Sequence, residues 1–259
     1  MVVTKTIAFD FDGVLCDGLA EYFHSSAIAC EEVFQVRLAQ ERLEQIRPAF
    51  YELRPVIETG WEMVALIGIL LEGSETQIIW RDWQKTLRTA LNNWGLTKKA
   101  FMVALDDVRD RQITTELDNW LSFHRFYDGM SACIAQLLAD HKTKVYIITT
   151  KEARFAHQLL RHQDIHFPRG NIFGKETKQP KTQILKQLSN GDLSPFWFIE
   201  DRLKTLEKVQ QDPELKYLKL FLATWGYNRP TDCENLVSKN ITAVDLAAWP
   251  MAIAQFLAA

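Results

Sequence analysis

The chain of 259 residues has few cysteines: Cys16, Cys30, Cys133 and Cys233, far apart and without a CxxC pair. Such spacing argues against a zinc site or a disulfide framework and fits a reducing compartment. Basic residues are not in excess, since 30 lysines and arginines against 33 acids leave a net charge of −3. A nucleic-acid surface, which needs a basic excess, has no support. Long apolar runs are missing too. The longest, residues 64–71, falls far short of the roughly 20 residues of a membrane span. Residues 1–10 offer a short apolar strand ending in acid, not a secretory leader. There is no internal repeat and no low-complexity linker. These absences lead to the expectation of a soluble, cytoplasmic protein with neither nucleic acid nor membrane as partner.

What is present is a change of period along the chain. Residues 6–9 form an apolar run stopped abruptly by Asp10-Phe11-Asp12-Gly13. Apolar runs of this length bounded by turn residues suit buried strands of a parallel sheet. From about residue 19 to 123 the apolar spacing becomes three and four, predicting helices over 20–38, 63–71, 76–91 and 98–108. Pro48 and Pro55 should break helices there. Alternation then returns. Strands are predicted at 145–148, 196–199 and 217–222, with helices at 153–162, 182–188, 203–210 and 246–257. Strands alternating with helices imply an α/β, doubly wound, Rossmann-like parallel sheet, and the helical block reads as an inserted all-helical domain. The expected division is a core of residues 1–16 and 125–259 with a helical insertion at 17–124.

The informative positions are those where polar residues end strands. In an open α/β sheet the ligand crevice lies beyond the carboxyl ends of the strands. Asp10 and Asp12 follow the first strand, Thr149 the second, and Glu200 with Asp201 the third. Lys181 opens a helix after Gln179-Pro180. Each has a plainer reading on its own. Asp12-Gly13 makes an ordinary turn, Thr149 or Thr150 suits a helix N-cap, and Lys181, like Lys178, suits a solvated surface. A calcium loop, suggested by Glu21 twelve positions on from Asp10, fails because Val14 and Leu15 occupy its fifth and sixth positions and a strand precedes it. Glu200-Asp201 resists dismissal, because paired acids at a buried strand end are costly without a cation.

Taken in order, Asp10-Phe11-Asp12-Gly13-Val14 resembles the DxDG[VT] first motif of the haloacid dehalogenase superfamily. Ile147-Ile148-Thr149 is similar to its second motif, Lys181 to its third and Ile199-Glu200-Asp201 to its fourth. The resemblance covers residues 1–16 and roughly 125–259, and the insertion site matches members that carry a helical C1-type cap. It implies that Asp10 attacks phosphorus to give an aspartyl-phosphate. It also implies Mg²⁺ held by Asp10, the main-chain carbonyl of Asp12, Asp201 and the acidic pair's Glu200, an oxygen-only set that suits this ion. Lys181 would face Asp10 and the phosphoryl group, and Thr149, with Thr150, would bind the phosphoryl oxygens. Asp12 would protonate the leaving alkoxide and then activate water. Halide expulsion needs no such proton, so this second Asp favours phosphoryl chemistry over dehalogenation.

The helical region is long for such a cap, and large caps in the family favour small substrates. Trp61, Trp80, Trp83, Trp94 and Trp120 read as its core. Arg54, in a segment that breaks helices at Pro48 and Pro55, is the candidate for reading an anionic group of the substrate. His157, His162 and His166 read as surface residues. The expectation is therefore hydrolysis of a small phosphorylated molecule. Alternatives are a phosphotransferase such as a sugar-phosphate mutase, to which the acidic pair Glu200-Asp201 is also similar, and a non-catalytic binding protein of the same fold.

Overall fold

The first apolar run becomes the central strand of a sheet. The computed structural model describes residues 4–189, 194–234 and 236–258. Its strands β1 (Lys5–Phe9), β2 (Cys16–Asp17) and β3 (Arg125–Phe126) are followed by β4 (Thr143–Ile148), β5 (Ile172–Phe173), β6 (Phe196–Glu200), β7 (Lys219–Ala223) and β8 (Ile241–Val244). Among the described residues, six of these form one parallel sheet in the order β5-β4-β1-β6-β7-β8. Strands β2 and β3 pair separately and antiparallel. The chain divides into two units, Met1–Asp17 with Arg125–Ala259, and Gly18–His124.

The sheet unit follows from period two. Side chains alternate between faces along a strand, so Ala8, Phe196, Phe198, Leu220 and Leu222 share one face. They pack there with Ile184 and Leu185 of α10 (Lys181–Ser189) and Leu206 and Val209 of α11 (Leu203–Gln211). The opposite face presents Phe9 and Trp197. Phe9 meets Trp249 of α12 (Trp249–Ala258) edge-on at 6.0 Å, and Trp197 lies 5.0 Å from Phe256. Helix α12 also packs on α8 (Met130–Ala139). With both faces covered, β6 reads Phe-Trp-Phe-Ile-Glu and is buried throughout, as a central parallel strand should be. The strand order reverses between β1 and β6, which puts the ligand crevice of such a fold beside the ends of these two strands.

The helical unit is built around one helix that is buried on all sides. In α3 (Trp61–Leu71) every residue from Trp61 to Leu70 is buried. It is surrounded by α1 (Leu19–Phe34), α2 (Gln40–Glu52), α5 (Trp83–Trp94) and α6 (Lys98–Thr115). Two short helices, α4 (Thr76–Arg81) and α7 (Leu117–Ser122), complete it. Trp61, Trp83 and Trp120 are buried, but Trp80 and Trp94 are half-buried and donate to Glu52 and Glu72 at 3.0 and 2.6 Å. A buried ion pair joins α1 to α6. Arg109 Nε and Nη2 donate to Glu21 Oε1 and Oε2 at 2.7 and 2.8 Å, and the Glu21 side chain is wholly inaccessible.

Several expected boundaries move. Pro48 does not break a helix but lies inside α2. That helix buries only Phe50, and Glu44, whose carbonyl loses its donor, sits on an exposed turn where water can serve. Pro55 does act as a breaker, within a 3₁₀ turn at Arg54–Val56. The predicted helix at 76–91 is split at Asp82, whose side chain accepts from Lys85 N at 3.0 Å and caps α5. Helix α1 ends at Phe34, because Gln35 turns left-handed at φ 54°.

The buried pair carries a stability prediction. Glu21→Ala would take from Arg109 the carboxylate that holds two of its nitrogens, and from Ser25 Oγ its acceptor, and should cost about 1–3 kcal/mol. Chemical denaturation of the two proteins measures it, and a loss below about 1 kcal/mol would contradict the account.

Candidate active site

Parallel register carries the chemistry to one edge. Phe9 pairs with Ile147 of β4 and with Ile199 of β6, so Asp10, Thr149, Glu200 and Asp201 emerge together at the carboxyl ends of three adjacent strands. Asp10 is held at the level of β6 by its own N–H, which donates to the Ile199 carbonyl at 2.9 Å. The chain then folds back on itself. Leu15 N and Cys16 N both donate to the Phe11 carbonyl, at 2.9 and 3.0 Å, and Gly13 N donates to Cys16 at 2.9 Å. Gly13 has φ +84°, and a Cβ there would fall 2.2 Å from Asp201 Oδ2. Only glycine fits both the conformation and the space.

Carboxylates dominate this edge. Oxygens of Asp10, Glu200 and Asp201, all buried, lie within 4.8 Å of one another. Lys181, the first residue of α10, brings its ammonium 3.0 Å from Asp10 Oδ1 and 2.7 Å from Glu200 Oε2. Lys178 is exposed. Asp201 Oδ2 accepts from the Tyr227 main-chain N–H at 2.7 Å, and Glu200 Oε1 from Arg202 N at 3.2 Å. Burial pushes the Asp10 carboxyl up to about 7; Lys181 opposes this, while the nearby Glu200 and Asp12 reinforce it. Burial likewise raises Glu200. Burial pulls the Lys181 ammonium down, but Asp10 and Glu200 together outweigh it and leave it above its ordinary range. One ammonium among three buried acids leaves an excess of negative charge. A compact set of hard oxygen donors with that excess fits a divalent cation.

The other candidate residues take different places. The Asp12 carboxylate is not part of the acidic group, and its Oδ1 forms an ion pair with Lys151 Nζ at 3.3 Å that is not an aligned hydrogen bond. Thr149 is buried and its Oγ1 accepts from Lys151 N at 3.1 Å, which leaves its own proton to give. Neither Thr149 nor Thr150 sits at the cap of α9 (Ala153–His162). That position is Glu152, and Ala153 N is met by the Glu176 carboxylate at 3.1 Å. Thr150 is exposed. Arg54 belongs to the helical unit, where its guanidinium lies 5.2 Å from the centre of the Tyr22 ring and Nη1 donates to Ile57 O at 3.3 Å.

Two groups escape a sequence reading. Lys151 stands two residues beyond Thr149, and its signal was a lysine in the loop right after a strand-ending threonine. The Tyr227 N–H has no side-chain signature at all. Its only pointer is Gly226 before it, where a Cβ would lie 2.3 Å from both Asp201 Cβ and the Gly13 carbonyl oxygen.

Comparison with known proteins agrees with the fold. A family model described as haloacid dehalogenase-like hydrolase matches residues 4–207. Among curated proteins none matches the chain. A solved structure described as a predicted phosphatase from Clostridium acetobutylicum is 16% identical, with a TM-score of 0.60 over 99% of this chain and 100% of that one. One described as a predicted phosphoglycolate phosphatase from Haemophilus somnus is 13% identical, with a TM-score of 0.55 over 96% and 97%. Protein Tyrosine Kinase A from Mycobacterium tuberculosis is 15% identical, with a TM-score of 0.56 over 97% and 98%. At such identities the likeness is one of fold, and the differing names show how little the fold says about the substrate.

The raised Asp10 carboxyl has a measurable consequence for the metal-free protein. Its folded value of about 7 exceeds the unfolded value of about 3.9. The stability it contributes is therefore complete below about pH 4 and is lost as pH rises through about 7. Between pH 6 and 8 the loss is on the order of 1 kcal/mol, or a few degrees in melting temperature. Thermal melts in chelator should show this fall, and Asp10→Asn should flatten it. A melting temperature that climbs over the same range would contradict the assignment.

Proposed function

The chain belongs to the haloacid dehalogenase-like hydrolase family, and from that premise we propose that it is a magnesium-dependent phosphatase acting on a small phosphomonoester through an aspartyl-phosphate on Asp10. The observation that carries the reading is the buried group at the sheet edge, with Asp10 3.0 Å from Lys181 and within reach of Glu200 and Asp201.

An oxygen of Asp10 attacks phosphorus as the bond from phosphorus to the substrate's alkoxide breaks. Asp12 gives its proton to that alkoxide, so the product leaves as an alcohol. Asp12 then takes a proton from water, whose oxygen attacks the same phosphorus. The bond to Asp10 breaks, phosphate departs, and both aspartates return to their starting states. One hard displacement becomes two easier ones. Lys151, at 3.3 Å, steadies the Asp12 carboxylate between the two halves. Lys181 binds the phosphoryl oxygens and keeps Asp10 aimed, while the Thr149 hydroxyl donates to a phosphoryl oxygen, assisted by Thr150. Asp10, Asp201, Glu200 and the main-chain carbonyl of Asp12 would hold magnesium, which when bound supplies the positive charge that lets a carboxylate approach an anionic phosphoryl group. Arg54 is proposed to read an anionic group of the substrate.

A cytoplasmic location belongs to the same reading. The cysteines Cys16, Cys30, Cys133 and Cys233 are all free thiols, which supports it, and no helix among the described residues is long and apolar enough to cross a membrane.

Phosphate release from a panel of small phosphomonoesters with Mg²⁺ tests the proposal. Activity should vanish in EDTA and return with Mg²⁺. Asp10→Asn should fall to background, and Asp12→Asn should lose ~10²–10⁴-fold in kcat. Turnover undiminished in Asp10→Asn would overturn the mechanism. Isomerisation dependent on a bisphosphate activator, with little free phosphate, would instead indicate a mutase.

A further inference from the structure

The loop after β7 is built around Asp201. Besides the Tyr227 N–H on Asp201 Oδ2 at 2.7 Å, Gly226 packs so closely that no side chain could stand between it and Asp201. The loop also reaches back to the segment that follows β1. Trp225 Nε1 donates to the Val14 carbonyl at 3.0 Å, and the Tyr227 hydroxyl donates to Asp17 Oδ1 at 2.8 Å. Asp17 is itself fixed, because it lies in β2 and pairs with Arg125 of β3. One tyrosine thus touches two carboxylates. Its main chain holds a member of the acidic group, and its phenol is tied to the last residue before the chain enters the helical unit.

We propose that Tyr227 is a positioning residue for Asp201, acting through the hydrogen bond of its hydroxyl to Asp17; the inference rests on the reading that Asp10, Glu200 and Asp201 hold a divalent cation. A phenol on a carboxylate is a charge-assisted bond, among the stronger kinds available. It fixes the backbone of residue 227 at the far end of its own side chain. The N–H that orients Asp201 therefore stays aimed before any cation arrives, and little ordering remains for binding to impose. Groups outside a metal's ligand set commonly matter in this way.

The test measures Mg²⁺ binding to the full chain by titration calorimetry, with no substrate present. Tyr227→Phe keeps the ring and the N–H and removes only the hydroxyl, and it should weaken Mg²⁺ about tenfold. Asp17→Ala, which removes the acceptor, should do much the same. The double variant should lose about tenfold as well, not a hundredfold, because the Tyr227–Asp17 bond is already lost in either single variant. Melting temperatures of the metal-free variants should fall by similar amounts, since the same bond is lost in each, whereas a merely structural role would lower them without touching affinity. Wild-type affinity in Tyr227→Phe, or a fully multiplied loss in the double variant, would overturn the inference. Should Tyr227→Phe fail to fold, Asp17→Ala alone decides by the same criterion. If the wild-type protein binds no Mg²⁺ and Asp201→Asn leaves its titration unchanged, the metal reading is what fails.

Discussion

The Lys181 ammonium, lodged between Asp10 and Glu200 with Asp201 close by, is the interaction on which the site depends. Among the described residues, three buried acids share one ammonium at this edge, an excess of negative charge, and uncompensated buried charge is expensive. The excess can be met by a proton, which is why burial carries Asp10 up to about 7, or by a cation. A carboxylate in such surroundings is also a poor candidate for a purely structural role, because two well-packed apolar side chains would stabilise the edge more. The arrangement makes sense as one kept for its chemistry, with stability lost locally and recovered in the core.

That core explains how the site can be so crowded and still defined. Strand β6 is buried along its whole length and ends in Glu200, while β1 beside it ends just before Asp10. Apolar packing on both faces fixes the two strands in register, and the register alone sets the carboxylates side by side. Glycines at 13 and 226 then allow two loops to close on Asp201 from different directions. Rigid strands supply the positions and the loops supply the fit, a division of labour common to sites on parallel sheets.

Much of the fold was readable because β1, β4, β6 and β7 each announce themselves as apolar runs cut off by polar residues. Strand β5 has only two residues, Ile172 and Phe173, too few for any period to show. Strand β8 alternates weakly, with two exposed residues between Ile241 and Val244. Pro48 misled for a local reason: an exposed helix tolerates a lost hydrogen bond that a buried one would not. At the site, acids that end strands are visible in sequence because few other reasons put them there. Lys151 is harder, since a lysine near a strand end is usually solvated. The Tyr227 N–H is beyond reach, because every residue but proline carries one and only the folded chain says where it points.

The claim that Asp10 is the atom-bearing nucleophile can be tested without knowing the substrate. Crystals grown with magnesium and beryllium fluoride should show trifluoroberyllate bonded to an Asp10 carboxylate oxygen, with the Lys181 ammonium and the Thr149 hydroxyl on its fluorines. Trifluoroberyllate bonded to another residue, or an Asp10 left unmodified under conditions where magnesium occupies the site, would contradict the account.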